Sequence, residues 1–296
     1  MRPIPPSLVL EGHRDYELLC TVRDGLASRT GSLENLKSIF PILVRDAIDF
    51  LLDPVRTART KISDLDNVEK TFIGLKLEHF VRDMLDVPKG LRDLHILGHD
   101  VDIKNTVKDT WTIPPETFNR EEVCLLMASD DERCLCWLGL IVARREFLTG
   151  GLGNRDAKRA VNGLGFKNIL WIVENAQFPP SKFSNINMDR FRQLRELDGG
   201  TNRVELFFSE NLRIPIHRSV VLSLLYDQDD PMKRVRGNSG ARDRLKPKGI
   251  ALLSGRTDAS LIAKIGIPNI SANDFISIQP LSDEERQLLL LEGKIE

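Results

Sequence analysis

Apolar residues recur at three- and four-residue steps in two stretches of the first third of the chain, which is the period of an amphipathic helix. The first stretch runs from Tyr16 to about Leu52, where Asp53-Pro54 ends it because the residue before a proline avoids helical backbone. The second runs from about Asn67 to Leu85 and carries Glu78 beside its apolar stripe. Spacing alone favours a rim position for this carboxylate over membership of a buried polar site.

The period changes to two between Asp100 and Lys104, where apolar and charged residues alternate as in a β-strand with one buried face. Two apolar runs follow, at 122–128 and 134–142, with an acidic turn between them, and they predict a hairpin or two sequential strands. Strands flanked by helices in this way indicate an α/β fold with a mixed sheet.

The segment 174–187 is rich in Pro, Ser and Asn and has no period, which is typical of a linker. Helical patterning resumes at 189–197 and around 204–207, and the run 249–253 has the character of a strand. A chain of 296 residues is long enough for two domains. We therefore predict a first domain at 1–173, a linker at 174–187 and a second domain at 188–296.

Composition narrows the possible partners of the protein. A formal net charge of -1 argues against a coat of positive charge but permits a local basic patch. The four cysteines form no CxxC pair and the histidines are not spaced to complete a zinc site, which favours a reduced, cytoplasmic protein. No apolar run is long enough to cross a bilayer, and the glycine-rich loop 149–154 matches neither a P-loop nor a dinucleotide fingerprint. We expect no membrane partner and no nucleotide cofactor.

The alternating strand contains the first candidate chemistry. Asp102 and Lys104 lie on one face, and a carboxylate beside an ammonium is suited to holding a divalent cation next to a phosphodiester. Asp93, nine positions earlier, offers a second carboxylate. An acid-x-Lys triplet also arises by chance, so a solvated strand face is the alternative on this motif alone.

A basic segment at 233–248 contains seven Lys or Arg residues against one Asp. It is turn-rich, with helical patterning before it and a strand after it, which suits a helix-turn-helix or winged-helix module on duplex DNA. An exposed basic loop is the alternative. Three Trp and two Tyr are few for the stacking platforms that bind single strands. The candidate DNA-binding residues are Lys233, Arg234, Arg236, Arg242 and Arg244.

Taken together, these segments resemble the NaeI-type restriction endonucleases, which are type IIE enzymes. The landmarks follow one another with near-equal spacing over roughly residues 40 to 270: Glu69-Lys70-Thr71 through Glu78, Val101-Asp102-Ile103-Lys104, Pro114-Pro115-Glu116, Asn154-Arg155-Asp156, Gln228 to Gly237, and Gly240-Ala241-Arg242.

The resemblance implies a restriction-endonuclease-like core in the first domain, with Glu78, Asp93, Asp102 and Lys104 as catalytic residues. Asp93 and Asp102, with Glu78, would hold Mg²⁺, by a one-metal or a two-metal arrangement. Arg92 stands where the wider superfamily has proline, and Asp100 competes with Asp93 for the ligand role.

The resemblance further implies a second domain that binds duplex DNA, a homodimer, and cleavage at a short, GC-rich palindrome. One DNA copy would occupy the second domain as an effector while another is cut. Two alternatives stay open at this point: a nicking or repair endonuclease that acts as a monomer, and a non-catalytic DNA-binding regulator.

Overall fold

The structure, a computed structural model, describes residues 3–87, 91–150, 156–267 and 270–296. The predicted glycine-rich loop from 151 onward and the Asn154-Arg155 landmark lie outside these ranges. The chain divides into two compact units: unit 1 comprises 1–51 with 61–180, and unit 2 comprises 52–60 with 181–296. In the described part of the chain, no helix combines the length and apolar character needed to cross a bilayer.

The α-helices, in chain order, are α1 (Tyr16–Arg29), α2 (Leu33–Leu52), α3 (Pro54–Thr57), α4 (Asn67–Leu85), α5 (Pro115–Phe118), α6 (Gly163–Lys167), α7 (Met188–Arg195), α8 (Gly200–Glu210), α9 (Arg218–Leu224), α10 (Pro231–Val235), α11 (Ala241–Leu245), α12 (Ala259–Lys264) and α13 (Asp283–Leu291). The strands are β1 (Leu94–Ile96), β2 (His99–Thr106), β3 (Thr112–Ile113), β4 (Val123–Asp130), β5 (Leu135–Val142), β6 (Arg159–Ala160), β7 (Leu170–Gln177), β8 (Ile216–His217), β9 (Ala251–Ser254) and β10 (Asp274–Ile278).

Unit 1 is built on a mixed five-stranded sheet in the order β1-β2-β4-β5-β7, in which β2 and β4 run parallel. β4 and β5 form the predicted hairpin, and nearly every residue of both strands is buried. The predicted α/β fold with a mixed sheet is therefore confirmed for this unit.

The strand β7 was not predicted, and the linker prediction is wrong for residues 174–177 because they belong to this strand. β7 lies at the edge of the sheet, where one side of a strand meets solvent and polar residues are tolerated. Glu174 and Asn175 are exposed there, which gives the segment its linker-like composition.

The helical predictions for unit 1 are largely confirmed. The single helix predicted from Tyr16 to Leu52 is two helices, because Gly31 adopts φ +87° between α1 and α2. The predicted helix Asn67–Leu85 is α4, and Asp66 begins it by accepting hydrogen bonds from the amides of Val68 and Glu69. The buried stripe of α4 consists of Ile73, Leu77, Val81 and Leu85.

Unit 2 has two apolar cores. Helices α7 to α11 surround the first core, and the three-stranded sheet β8-β10-β9 packs against the second core. The segment 52–60 belongs here because Arg195, which is 6% exposed, donates to the carbonyls of Val55 at 2.9 Å and Ser223 at 2.7 Å. The predicted strand at 249–253 is β9, shifted by one to two residues.

Asp258 connects the end of β9 with Lys294, near the C-terminus, at the second apolar core of unit 2. It is 6% exposed and accepts hydrogen bonds from Lys294 Nζ at 2.7 Å and from the Ser254 amide at 2.9 Å. Burial alone would raise its pKa, but these two donors hold the pKa below its usual range.

Candidate active site

The antiparallel pair β1–β2 brings together side chains that are nine positions apart in the chain. Asp93 immediately precedes β1, and Leu94 pairs with Val101 of β2. Asp93 Oδ2 therefore accepts a hydrogen bond from the backbone amide of Ile103 at 2.8 Å, between Asp102 and Lys104.

Asp102 is almost fully enclosed, with 5% of its surface exposed. Its Oδ1 accepts a hydrogen bond from Lys104 Nζ at 2.6 Å, and its Oδ2 accepts one from Thr117 Oγ1 at 2.7 Å. Lys104 Nζ also donates to the Ile103 carbonyl at 3.2 Å. A solvated strand face, the alternative interpretation of the motif, is therefore wrong for Asp102.

Burial and a neighbouring carboxylate act in the same direction on the pKa of Asp93 and of Glu78. Burial raises the pKa of Asp93, and the neighbouring carboxylate of Asp102 raises it further, although the Ile103 amide and Lys104 act in the opposite direction. Burial also raises the pKa of Glu78, with Asp93 as the next contributor. Glu78 lies on α4 with 21% of its side chain exposed, at 3.9 Å from Arg82 Nη1. Such coupling favours membership of a polar site over the predicted rim position.

Asp100, the predicted competitor of Asp93, is directed elsewhere. Its Oδ1 accepts a hydrogen bond from the Leu91 amide at 3.0 Å and lies 3.4 Å from His95 Nδ1. Its slight burial would raise the pKa of this carboxyl, but the bonds from His95 and the Leu91 amide lower it. Between the two candidates, Asp93 is the one whose carboxylate is bonded next to Asp102, at the Ile103 amide.

The donor atoms at this site are of the kind that a hard divalent cation prefers. Two carboxylates, from Asp93 and Asp102, lie beside the carbonyl of Ile103, and oxygen ligands suit Mg²⁺. Within the described ranges, no three His, Cys, Asp or Glu residues gather as a ready-made metal site. Asp93 and Asp102 thus form a pair of carboxylates, and Glu78 interacts with Asp93 electrostatically.

Two further residues contact the site. Thr117 was not identified from the sequence, and Arg92 was noted only because it stands where the wider superfamily has proline. Thr117, 1% exposed, follows the Pro114-Pro115-Glu116 landmark in α5, and no periodicity connects it with Asp102. Arg92 Nε donates to Glu122 Oε2 at 2.6 Å, and Arg92 Nη2 donates to the Glu116 carbonyl at 2.8 Å. The signal for Thr117 was its place directly after that landmark, and the signal for Arg92 was its place where the wider superfamily has proline.

The basic segment of unit 2 consists of α10, α11 and a 3-10 turn. Lys233, Arg234 and Arg236 are exposed. Arg242 and Arg244 contact other groups of the protein. Arg242 Nε donates to the Leu252 carbonyl at 3.0 Å, and Arg244 Nη1 lies 3.4 Å from Glu205 Oε2. A cavity of about 250 Å³ opens between the start of α8 and these helices; its lining includes Gly199, Asn202, Gln228, Arg234 and Arg244.

Comparison with known proteins identifies the family to which the chain is similar. The family profile described as "Restriction endonuclease NaeI" matches residues 37–286. The "Type II restriction enzyme NaeI" of Lentzea aerocolonigenes is 30% identical over 267 residues, which cover 85% of this chain and 82% of that enzyme.

Proposed function

Because the chain belongs to the NaeI restriction endonuclease family and is a site-specific deoxyribonuclease, we propose that Asp93, Asp102 and Lys104 form its Mg²⁺-dependent catalytic centre. The observation that carries the proposal is the contact of Asp93 Oδ2 with the Ile103 amide, because it sets a second carboxylate beside the Asp102–Lys104 pair. Glu78 assists from α4.

Each residue then has a distinct task. Asp93, Asp102 and the Ile103 carbonyl hold the cation, and Mg²⁺ when bound supplies neutralisation of the scissile phosphate and a more acidic water. The Lys104 ammonium stabilises the negative charge that develops on the phosphoryl oxygens during attack. Glu78, whose pKa is raised, either polarises the attacking water through a hydrogen bond or binds a second cation.

Substitution of the pair tests this assignment. Asp102→Ala and Lys104→Ala should abolish cleavage of plasmid DNA in Mg²⁺ and leave duplex binding in place, and EDTA should abolish wild-type cleavage. Glu132→Ala, at an exposed acid of the β4–β5 turn, is the control and should cleave normally. Cleavage by either site variant at the wild-type rate would overturn the assignment.

We assign duplex binding to unit 2, as a helix-turn-helix or winged-helix-like module. Lys233 and Arg236 are exposed and form no ion pair within the described ranges, so they are available to phosphates. Arg234 and Arg244 line the cavity at the start of α8 and offer guanidinium groups to a phosphate or a guanine edge. Arginine contacts to guanine favour a short, GC-rich recognition sequence.

The same module is proposed to hold a second copy of the site as an effector while unit 1 cuts the first. A plasmid with one recognition site should then be cut faster when an oligonucleotide containing that site is added. An unchanged rate over a range of oligonucleotide concentrations would exclude the effector role. Digestion of a sequenced phage DNA, followed by sequencing of the ends, identifies the site.

A homodimer is the assembly that this activity favours, because two active sites related by a two-fold axis match a palindrome. The exposed stripe of α4 supports it: Val68, Phe72 and Leu75 are 66%, 47% and 47% exposed and lie at i, i+4 and i+7. Leu75→Arg should shift the protein towards a monomer in sedimentation and leave plasmid at the nicked circle. A wild-type protein that sediments as a monomer and nicks would instead fit the monomeric alternative.

A further inference from the structure

The short helix α5 contacts the surroundings of both catalytic aspartates. On one side, Thr117 Oγ1 donates a hydrogen bond to Asp102 Oδ2 at 2.7 Å. On the other, Arg92, the residue directly before Asp93, donates from Nη2 to the Glu116 carbonyl at 2.8 Å. One turn of helix therefore connects the backbone next to Asp93 with the carboxylate of Asp102.

Glu122 closes this connection. Its carboxylate accepts a hydrogen bond from Arg92 Nε at 2.6 Å, and its backbone amide donates to the Thr117 carbonyl at 3.2 Å. The side chains of Arg92 and Glu122 are 17% and 12% exposed, so water competes little for the ion pair. Thr117 itself is 1% exposed. The contacts are thus shielded, and they restrain both ends of the connection.

We propose that Thr117 and Arg92 are positioning residues that, through α5, fix the Asp93 and Asp102 carboxylates at the spacing a divalent cation requires. The inference rests on the proposed function of the site. Two adjacent carboxylates repel each other before a cation arrives, so a side chain free to rotate would turn away. Thr117 prevents this for Asp102 because it holds Oδ2 while Lys104 holds Oδ1. Partners of this kind orient metal-binding carboxylates in many proteins.

The connection also gives a reason for Arg92 where the wider superfamily has proline. Proline fixes the backbone before the aspartate through its ring. Arg92 fixes it through hydrogen bonds to α5 and Glu122.

Thr117→Val tests the proposal because valine keeps the shape of threonine and loses only the hydroxyl donor. The Mg²⁺ concentration for half-maximal cleavage should rise about tenfold or more, while Thr117→Ser, which keeps the donor, should stay within about threefold of wild type. In the absence of DNA, Mg²⁺ should raise the melting temperature of Thr117→Val less than that of wild type at equal concentration. Thr112→Val, at an exposed threonine of β3, is the matched control.

Arg92→Gln gives a second route if Thr117→Val does not fold. It should shift the Mg²⁺ requirement in the same direction, and the double variant should shift it by less than the product of the single effects, because both act through α5. If the wild-type protein cleaves DNA and either Thr117→Val or Arg92→Gln responds to Mg²⁺ as the wild type does, the inference is overturned and the proposed function is not. A wild-type protein that neither binds Mg²⁺ nor cleaves DNA would overturn the proposed function and the inference with it.

Discussion

Lys104→Met separates the two effects of the lysine ammonium, on stability and on catalysis. Methionine keeps most of the aliphatic stem, so the substitution removes mainly the charge and its hydrogen bonds. The ammonium donates to Asp102 Oδ1 at 2.6 Å and to the Ile103 carbonyl at 3.2 Å, and its charge offsets part of the rise that burial causes in the pKa of Asp93. Its loss leaves the enclosed carboxylate of Asp102 and the half-buried carboxylate of Asp93 without a compensating cation.

The expected cost follows from the first of these bonds. A hydrogen bond to a charged group contributes about 1.5–3 kcal/mol, so we expect the free energy of unfolding of Lys104→Met to fall by about 2 kcal/mol without metal. Mg²⁺ should restore most of this loss, because a cation at about thirty times its dissociation constant stabilises the folded state by about 2 kcal/mol. Cleavage should stay about a thousandfold below wild type even in saturating Mg²⁺, since the ammonium's action on the transition state is absent.

The measurement is urea unfolding with and without Mg²⁺, in the absence of DNA, alongside single-turnover cleavage. Lys108→Met, at an exposed lysine just after β2, is the control and should leave both quantities unchanged. In Lys104→Met, Mg²⁺ no longer competes with an ammonium for Asp102, so its stabilising effect should exceed that in wild type. Equal stabilisation of both proteins, or none in either, would refute the idea that these carboxylates share a cation.

Three further results are expected from unit 2. Lys233→Ala combined with Arg236→Ala should weaken duplex binding and reduce the slope of log K against log salt by about 2, whereas Lys264→Ala should not. Arg195→Met should lower the free energy of unfolding by about 3 kcal/mol in urea titrations, because it leaves the buried Ser223 carbonyl and the half-buried Val55 carbonyl without this donor. Asp258→Asn should cost about 2 kcal/mol at pH 7. Since the wild-type carboxyl has a lowered pKa when folded, its contribution is fully present above the unfolded pKa, so the difference between the two proteins should begin to shrink below about pH 4 and close as pH falls through the lower folded pKa.

Local periodicity was enough to find the part of the site that lies within one strand. The alternation around Asp102 and Lys104 predicts β2 and the shared face of the two residues, and both are present. The same alternation puts Asp100 on that face, yet His95 and the Leu91 amide direct it away. Cross-strand partners decide such a case, and a strand pattern does not contain them.

Contacts between distant segments were beyond the reach of the pattern. Asp93 was noted as a nearby carboxylate, but its role came from the family resemblance, because nine positions and a turn separate it from Asp102. Thr117 was not identified at all, since its contact depends on how α5 folds back onto β2. Spacing alone also misleads: Asp156-Ala157-Lys158 has the same acid-x-Lys spacing but lies in a turn region before β6.

The assignment of residues 52–60 to unit 2 has a practical consequence for dissecting the protein. The chain leaves unit 1 after α2, contributes α3 to unit 2, and returns before α4, so no single cut yields either unit whole. A fragment ended at Pro180 would retain Pro54 and Val55 but lack the arginine and serine that satisfy their carbonyls. Separate expression of unit 1 calls for a short designed bridge between Leu51 and Lys61, and unit 2 needs residues 52–60 joined to its own amino terminus.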